Sequence, residues 1–343
     1  MVLPSRVSPP PLVVYVDGVG LLGPGIDSWE EGRQQLAGLA PTRLQKTVLP
    51  VPTALPPAER RRAGAIIRLA LATGMQAMQA AGLDPAQVPS VFASSGGDGL
   101  NCHEMCVALA SAEKLISPTR FHKSVHNAAS GYWGIATGSM AASSVLCAFD
   151  GSFAAGLLEA ITLAVVQSTP VLLLAYDTDY PEPLRSVRPV PDAFGVALVL
   201  SPQRSAGSLA CVRLHCDSFL TGDPADSLAD AALESLRRSI PAARSLPLLR
   251  ALAMRQRGRV VLDYLDGLQL ALQLTRCARN DADTTLPPAA QRHCPAYSAP
   301  GPHVPARRRH GVGWHTYRVL YRQPSGARQS PACPGPARRR LRR

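Results

Sequence analysis

FHKSVHNAASGYWGIATGSMAASSVLCAFDGSFAAGLLEA, residues 121–160, decides how the rest of the chain is read. His122, His126 and Asn127 fall in a polar run. Tyr132 and Trp133 form an aromatic pair, a small-residue stretch leads to Cys147, and a helix dense in Ala and Gly follows. A helix poor in bulky side chains lets other backbones approach closely, and its N-terminus presents free N–H groups that stabilise negative charge. A cysteine or carboxylate placed there is a candidate reaction centre.

Outward from this segment, the pattern is that of a layered α/β domain. Residues 13–16 read as a short first strand closed by Gly18 and Gly20, and residues 24–58 as loop, punctuated by Pro50, Pro52, Pro56 and Pro57. Residues 59–81 read as one helix, with Gly82 where a C-terminal cap belongs. The β-rich run 91–93 feeds SSGGDG, which reads as a tight strand-to-loop turn. It has neither the Lys and Ser/Thr of a phosphate loop nor the spacing of a dinucleotide fingerprint.

Residues 103–115 read as helix. Cys102 and Cys106 lie at i and i+4 with His103 between them, and no two further ligands accompany them, so no metal is expected. Residues 151–167 read as the central buried helix, apolar on nearly every face except Glu159. The apolar runs 170–175 and 196–200 have the length of strands covered on both faces, and the alternating run 211–216 reads as an edge strand. Asp263 and Asp266 read as part of a turn. Strands separated by helices, without an internal repeat, imply a layered α/β architecture.

The net charge of +12 over 343 residues suggests nucleic-acid binding until it is located. Residues 275–343 hold fourteen Arg, no Lys and two acids, Asp281 and Asp283, while residues 1–274 hold 22 basic and 22 acidic side chains. The body is neutral, with no electrostatic attraction for phosphate backbones, so no nucleic acid is expected; nor is stable membrane insertion, since no apolar run of about eighteen residues is uninterrupted. The tail also carries ten of the 32 prolines, too little periodic hydrophobicity to fold. It reads as disordered, either a solvated polybasic segment or the product of a frameshift in GC-rich DNA. We therefore divide the chain into a domain at 1–274 and a tail at 275–343.

Eight cysteines without a signal peptide, and no uninterrupted apolar run of about eighteen residues, point to free thiols in a reducing cytoplasm.

Four stretches resemble one family. They are LPPAERRRAGAIIRLAL (residues 55–71), VFASSGGDG (91–99), residues 121–160, and PVLLLAYDTDYPEPL (170–184). They resemble the β-ketoacyl synthases of the thiolase-like superfamily. More closely, they resemble the ketosynthase-like chain-length factors that act beside a complete ketosynthase in aryl polyene pathways. The likeness runs over residues 15–274. It implies a thiolase-like fold in which helices sandwich mixed sheets, present here as essentially one, N-terminal, half.

The resemblance also implies a non-condensing subunit that forms a heterodimer with a complete ketosynthase and handles an acyl chain on acyl carrier protein. No metal, nucleotide or other cofactor is called for. In ketosynthases a cysteine nucleophile stands at the N-terminus of the buried helix. Counting from Gly138 puts Cys147 there, whereas counting back from Glu159 and Ala160 puts Asp150 there, and a carboxylate cannot carry an acyl thioester. Cys147 otherwise reads as a small buried hydrophobe. The two histidines of the family's second half are not expected. HGVGWH, residues 310–315, lies in the tail and reads as coincidence.

His122, His126 and Asn127 either line the acyl channel or dimer interface, or satisfy loop carbonyls. Tyr132, Trp133, Phe149 and Phe153 are candidates for the tunnel floor, Tyr132 and Trp133 reading equally as core. The alternative is an active acyltransferase or β-ketoacyl synthase that uses Cys147.

Overall fold

A computed structural model describes residues 10–215, 219 and 223–276. The first strand, β1 (Leu12–Leu22), runs eleven residues through both glycines that the sequence suggested would close it. The reason lies in what crosses it. A Cβ on Gly18 would stand 2.1 Å from the Ala77 carbonyl oxygen, and one on Gly20 1.9 Å from that of Thr73. The glycines let a helix backbone lie directly on the strand, which a larger residue would hold off.

Helices α1 (Trp29–Leu36), α2 (Pro57–Arg62) and α3 (Ala65–Ala81) follow. Helix α1 was hidden in an expected loop. Its start resembles a capping box, Ser28 Oγ accepting from Glu31 N–H while the Glu31 carboxylate accepts from the N–H of Asp27, one residue before the cap. The single helix expected over 59–81 is broken by extended backbone at Ala63 and Gly64. Gly82 caps α3 in the left-handed conformation, φ 66°.

Next come β2 (Ser90–Ala93), α4 (Gly99–Ala110), α5 (Pro118–His122), α6 (Ala128–Thr137) and β3 (Ser143–Leu146). A 3₁₀ turn, Phe149–Gly151, leads into α7 (Ser152–Gln167). Then follow β4 (Val171–Asp177), α8 (Leu184–Val187), β5 (Phe194–Ser201) and β6 (Ala210–Leu214). Helix α9 (Ala231–Ser239), a 3₁₀ turn Pro241–Ser245, α10 (Leu246–Ala253), β7 (Gly258–Asp263) and β8 (Gln269–Thr275) complete the described chain.

All eight strands join one mixed sheet in the order β3-β2-β4-β5-β1-β6-β8-β7. Strands β3, β2 and β4 are parallel and the remaining pairings antiparallel. Strand β6, read from its alternation as an edge, is interior, because β8 adds to its far side. Among the described strands, the edges are β3 and β7.

Side chains alternate between two cores. Leu172, Leu174 and Tyr176 face α3 and α6, while Val171, Leu173 and Ala175 face α7, α9 and α10. Helix α7 has the expected buried character: Phe153, Leu157, Ala160, Ile161 and Ala164 are each 1% exposed or less. Its apolar run 149–167 has the length and composition to cross a bilayer, and half of it is buried inside the protein. Leu233, Leu236, Ile240, Leu246 and Leu249 share its core, so the α9–α10 segment covers one flank. A stripe at Ala155, Glu159, Thr162 and Val166 stays partly or fully exposed.

Asp230 sets the start of α9, its carboxylate accepting from the N–H groups of Ala232 and Leu233. Asp230→Ala should cost about 1 kcal/mol. The readout is a lower urea midpoint at constant m-value, and an unchanged midpoint would show that the cap contributes nothing.

The tail from 277 onward, including HGVGWH, lies outside the described residues, as do Cys216, Cys277, Cys294 and Cys333. Strand β8 runs to Thr275, and Arg276 Nε donates to the Arg255 carbonyl.

Candidate functional site

The SSGGDG turn after β2 gathers several of the polar groups that the sequence singled out. Ser94 Oγ accepts from Gly97 N–H, closing the loop on itself, and Asp98 caps α4 by accepting from Asn101 N–H. The Ser94 carbonyl receives a hydrogen bond from the His126 ring, and the Ser95 carbonyl receives the Cys147 thiol at 3.1 Å. Burial pushes the His126 imidazolium below its ordinary pKa, an effect partly offset by the bond to Ser94. His126 Nε2 is itself buried without a partner.

Asp177, at the end of β4, lies under the same loop. Its carboxylate accepts from Ser95 N–H (2.8 Å), Ser95 Oγ (2.7 Å) and Ala242 N–H (2.8 Å). It therefore joins a strand end, the β2–α4 loop and the 3₁₀ turn after α9. Complete burial pushes its pKa up to about 6, although the hydrogen bonds from Ser95 and Ala242 pull the other way. The sequence marked this residue only as part of the 170–184 stretch, at the end of its apolar run, and gave it no role.

The segment between β3 and α7 holds both nucleophile candidates, three residues apart. Cys147 follows the end of β3 and is exposed. Asp150 lies in the 3₁₀ turn that feeds α7, close to the helix N-terminus. Arg188 donates to Asp150 Oδ1 at 2.7 Å and Arg244 to Oδ2 at 2.9 Å. The Arg188 guanidinium also stacks on Phe149, 3.7 Å from the ring centre. Phe149 has φ 50°, a left-handed conformation costly for a bulky residue and maintained here by this pairing and the adjoining turn. Directly behind, a Cβ on Gly151 would fall 2.1 Å from the Tyr264 carbonyl oxygen. The β7–β8 connection thus seals the entry to α7.

The other candidates separate. Tyr132 and Trp133 are buried in the α3-side core, Trp133 edge-on to Phe92 and Tyr132 donating to Glu59 at 3.1 Å. Burial, with the Glu59 carboxylate beside it, raises the Tyr132 phenol to about 12. Phe153 is buried in the opposite core, and Phe149 is 61% exposed. His122 is exposed at the end of α5, and Asn127 occupies the N-cap of α6. Cys102 and Cys106 lie on α4 as free thiols, and no cluster of three or more metal-ligating side chains forms among the described residues.

The model of the β-ketoacyl synthase N-terminal domain matches residues 29–258, two-thirds of the sequence. The chain belongs to the β-ketoacyl synthase family. Solved structures agree on the fold. A chain of the ketosynthase ApeO in complex with its chain length factor ApeC, from Xenorhabdus doucetiae, is 23% identical at TM-score 0.56, over 76% of this chain and 99% of that one. The ishigamide ketosynthase/chain length factor gives 15% identity and TM-score 0.55, over 78% of this chain and 100% of that one. AntDE:AntF, a type II polyketide synthase acyl-carrier protein in complex with its ketosynthase, gives 13% and 0.59, over 78% and 99%. No curated protein matches the sequence. The ketosynthase-like chain is thus thiolase-like in architecture, as its motifs suggested, with one mixed sheet between two helical layers.

Proposed function

We propose that this chain is a non-condensing ketosynthase-like subunit. It pairs with a complete β-ketoacyl-acyl carrier protein synthase in the cytoplasm and shapes that enzyme's acyl tunnel, in a pathway of the aryl polyene type. The carrying observation is the clamp at the start of α7. A carboxylate held by Arg188 and Arg244, with the Tyr264 carbonyl closed on the next residue, leaves no place for an acyl thioester at that point. Condensation also needs two histidines to stabilise an enolate. Those histidines belong to the family's second half, and His122 and His126, which precede the α7 segment, do not stand in for them: His126 is bound to the Ser94 carbonyl and His122 faces solvent.

Pairing is supported by where apolar surface remains. Among the described residues, half of the exposed large hydrophobic side chains fall between residues 100 and 149, including Leu100, Val107, Leu115, Phe121, Ile135 and Met140. The same stretch ends in edge strand β3, whose Ser-Ser-Val-Leu sequence carries no charge to discourage a further strand. Such a surface fits a partner interface. Phe149, exposed beside it, is the aromatic we assign to the tunnel wall.

Two measurements test the reading. Co-expression with a complete ketosynthase encoded nearby should yield a one-to-one complex on purification. The chain alone should release no carbon dioxide from malonyl-acyl carrier protein, and Cys147→Ala should leave the pathway's product unchanged. A soluble monomer that ignores every ketosynthase offered would remove the pairing. Decarboxylation by the chain alone, or loss of product in Cys147→Ala, would restore Cys147 as a nucleophile.

A further inference from the structure

A cleft of about 640 Å³ opens beside the Asp150 clamp, between the β4–β5 connection and α9. Its ionisable lining is three arginines, Arg188, Arg238 and Arg244, and two acids, Asp150 and Glu234. The acids offset the arginines only in part, even though Arg237, which holds Glu234, is shared with Asp263. Glu234 is gripped at both oxygens by Arg237, at 2.7 Å each. Asp150 takes a single Nη from each of Arg188 and Arg244. A guanidinium carries five N–H donors in a planar fork, so both retain unused donors. Arg238 forms no salt bridge within 4 Å among the described residues, although its charge helps hold the Glu234 carboxylate ionised.

The side chains of Arg188 and Arg244 are only 20% and 22% exposed, which strengthens their attraction for an anion over that of a solvated surface arginine. Stacking on Phe149 fixes the plane of Arg188. The remaining wall includes Val190 and Pro241, which are buried and apolar. A cationic head with an apolar flank, in a volume typical of small-ligand sites, selects its ligand by chemistry.

We propose that this cleft binds a small organic phosphate, with the phosphate oxygens on Arg188, Arg238 and Arg244 and the short uncharged stem along Val190 and Pro241. Phosphate suits the site better than a carboxylate, because its three terminal oxygens can engage three guanidinium groups at once. The inference does not depend on the chain-length role. A ketosynthase-like chain of any activity would keep the cleft.

The test titrates the full chain with inorganic phosphate and with glycerol 3-phosphate, using glycerol as the uncharged control. Binding is followed by calorimetry and by thermal shift. Both phosphates should bind saturably, glycerol 3-phosphate the tighter, and glycerol not at all. Arg238→Ala removes an exposed side chain and should weaken binding by about tenfold. Ser235→Glu, a rim position whose side chain has no hydrogen bond among the described residues, should abolish it. Unliganded melting temperatures should stay at the wild-type value in both variants. Absence of saturable binding at millimolar phosphate overturns the proposal. So does binding that both variants leave intact, since phosphate held by the arginines of residues 275–343 would behave in that way.

Discussion

Gly20→Val is expected to leave no folded protein. The Cβ alone would lie 1.9 Å from the Thr73 carbonyl oxygen and 2.8 Å from its carbon, and neither atom belongs to a side chain that can swing aside. Helix α3 would have to lift from β1, the strand that sits between β5 and β6 in the sheet. Lifting it opens the core formed by Ile66, Leu69, Ala70, Ala77 and their partners in β4 and β5. Overpacking against flexible neighbours costs about 1–3 kcal/mol. Against backbone the cost should exceed roughly 5 kcal/mol, comparable with the whole stability of a typical domain. The check is soluble yield and far-ultraviolet circular dichroism. A cooperative transition near the wild-type midpoint would show that α3 does not rest on β1.

The second large effect belongs to Asp177. Its folded pKa of about 6 stands above the ordinary 3.8, so the folded chain binds the proton more tightly than the unfolded chain does. This group therefore stabilises most below about pH 4, and its contribution is lost as pH rises through 6. A shift of this size corresponds to on the order of 3 kcal/mol across that window. Asp177→Asn keeps the volume and removes the titration. Its amide also sets an NH₂ against Ser95 N–H or Ala242 N–H, which leaves one donor unsatisfied at about 1–3 kcal/mol. Wild type minus variant stability, from urea unfolding at successive pH values, should fall between pH 4 and 6.5 and level off above. A difference that rises with pH would show the carboxylate to be favourably ionised, and the sign assigned here to be wrong.

The elements that the sequence disclosed are those whose local signal agrees with their packing. Strands β4 and β5 are apolar on both faces because helices cover both, and that reads directly as an unbroken apolar run. Helix α3 announced its end through Gly82, and α7 its burial through small residues. The misreadings have equally physical causes. Gly18 and Gly20 look like strand breakers until the helix above them is known. The alternation in β6 matches an edge strand, and only the return of β8 some sixty residues later makes it interior. The Ser28–Glu31 capping pattern was legible and was masked by the surrounding prolines.

The candidate site was half legible. The SSGGDG turn and the Cys147–Asp150 segment stand out by composition. Their partners do not. Asp177 ends a strand, Arg188 lies in a loop and Arg244 in a 3₁₀ turn, at separations of 38 and 94 residues from Asp150 in the latter two cases. No periodicity links them, since the folded sheet alone brings them together.

The place of β1 in the sheet also sets a schedule for the nascent chain. Tyr15 pairs with Ser201 on one side and Leu12 with Leu214 on the other. The first strand made must therefore wait for nearly two hundred further residues before either neighbour exists. At ribosomal speeds of about 5–20 residues per second, that delay is roughly 10–40 s. During this time β1 and the apolar helix that rests on it have no sheet to join, and such long-range closure is slow even once the chain is complete. The N-terminal segment is therefore the part of the nascent chain that stays longest without its sheet partners.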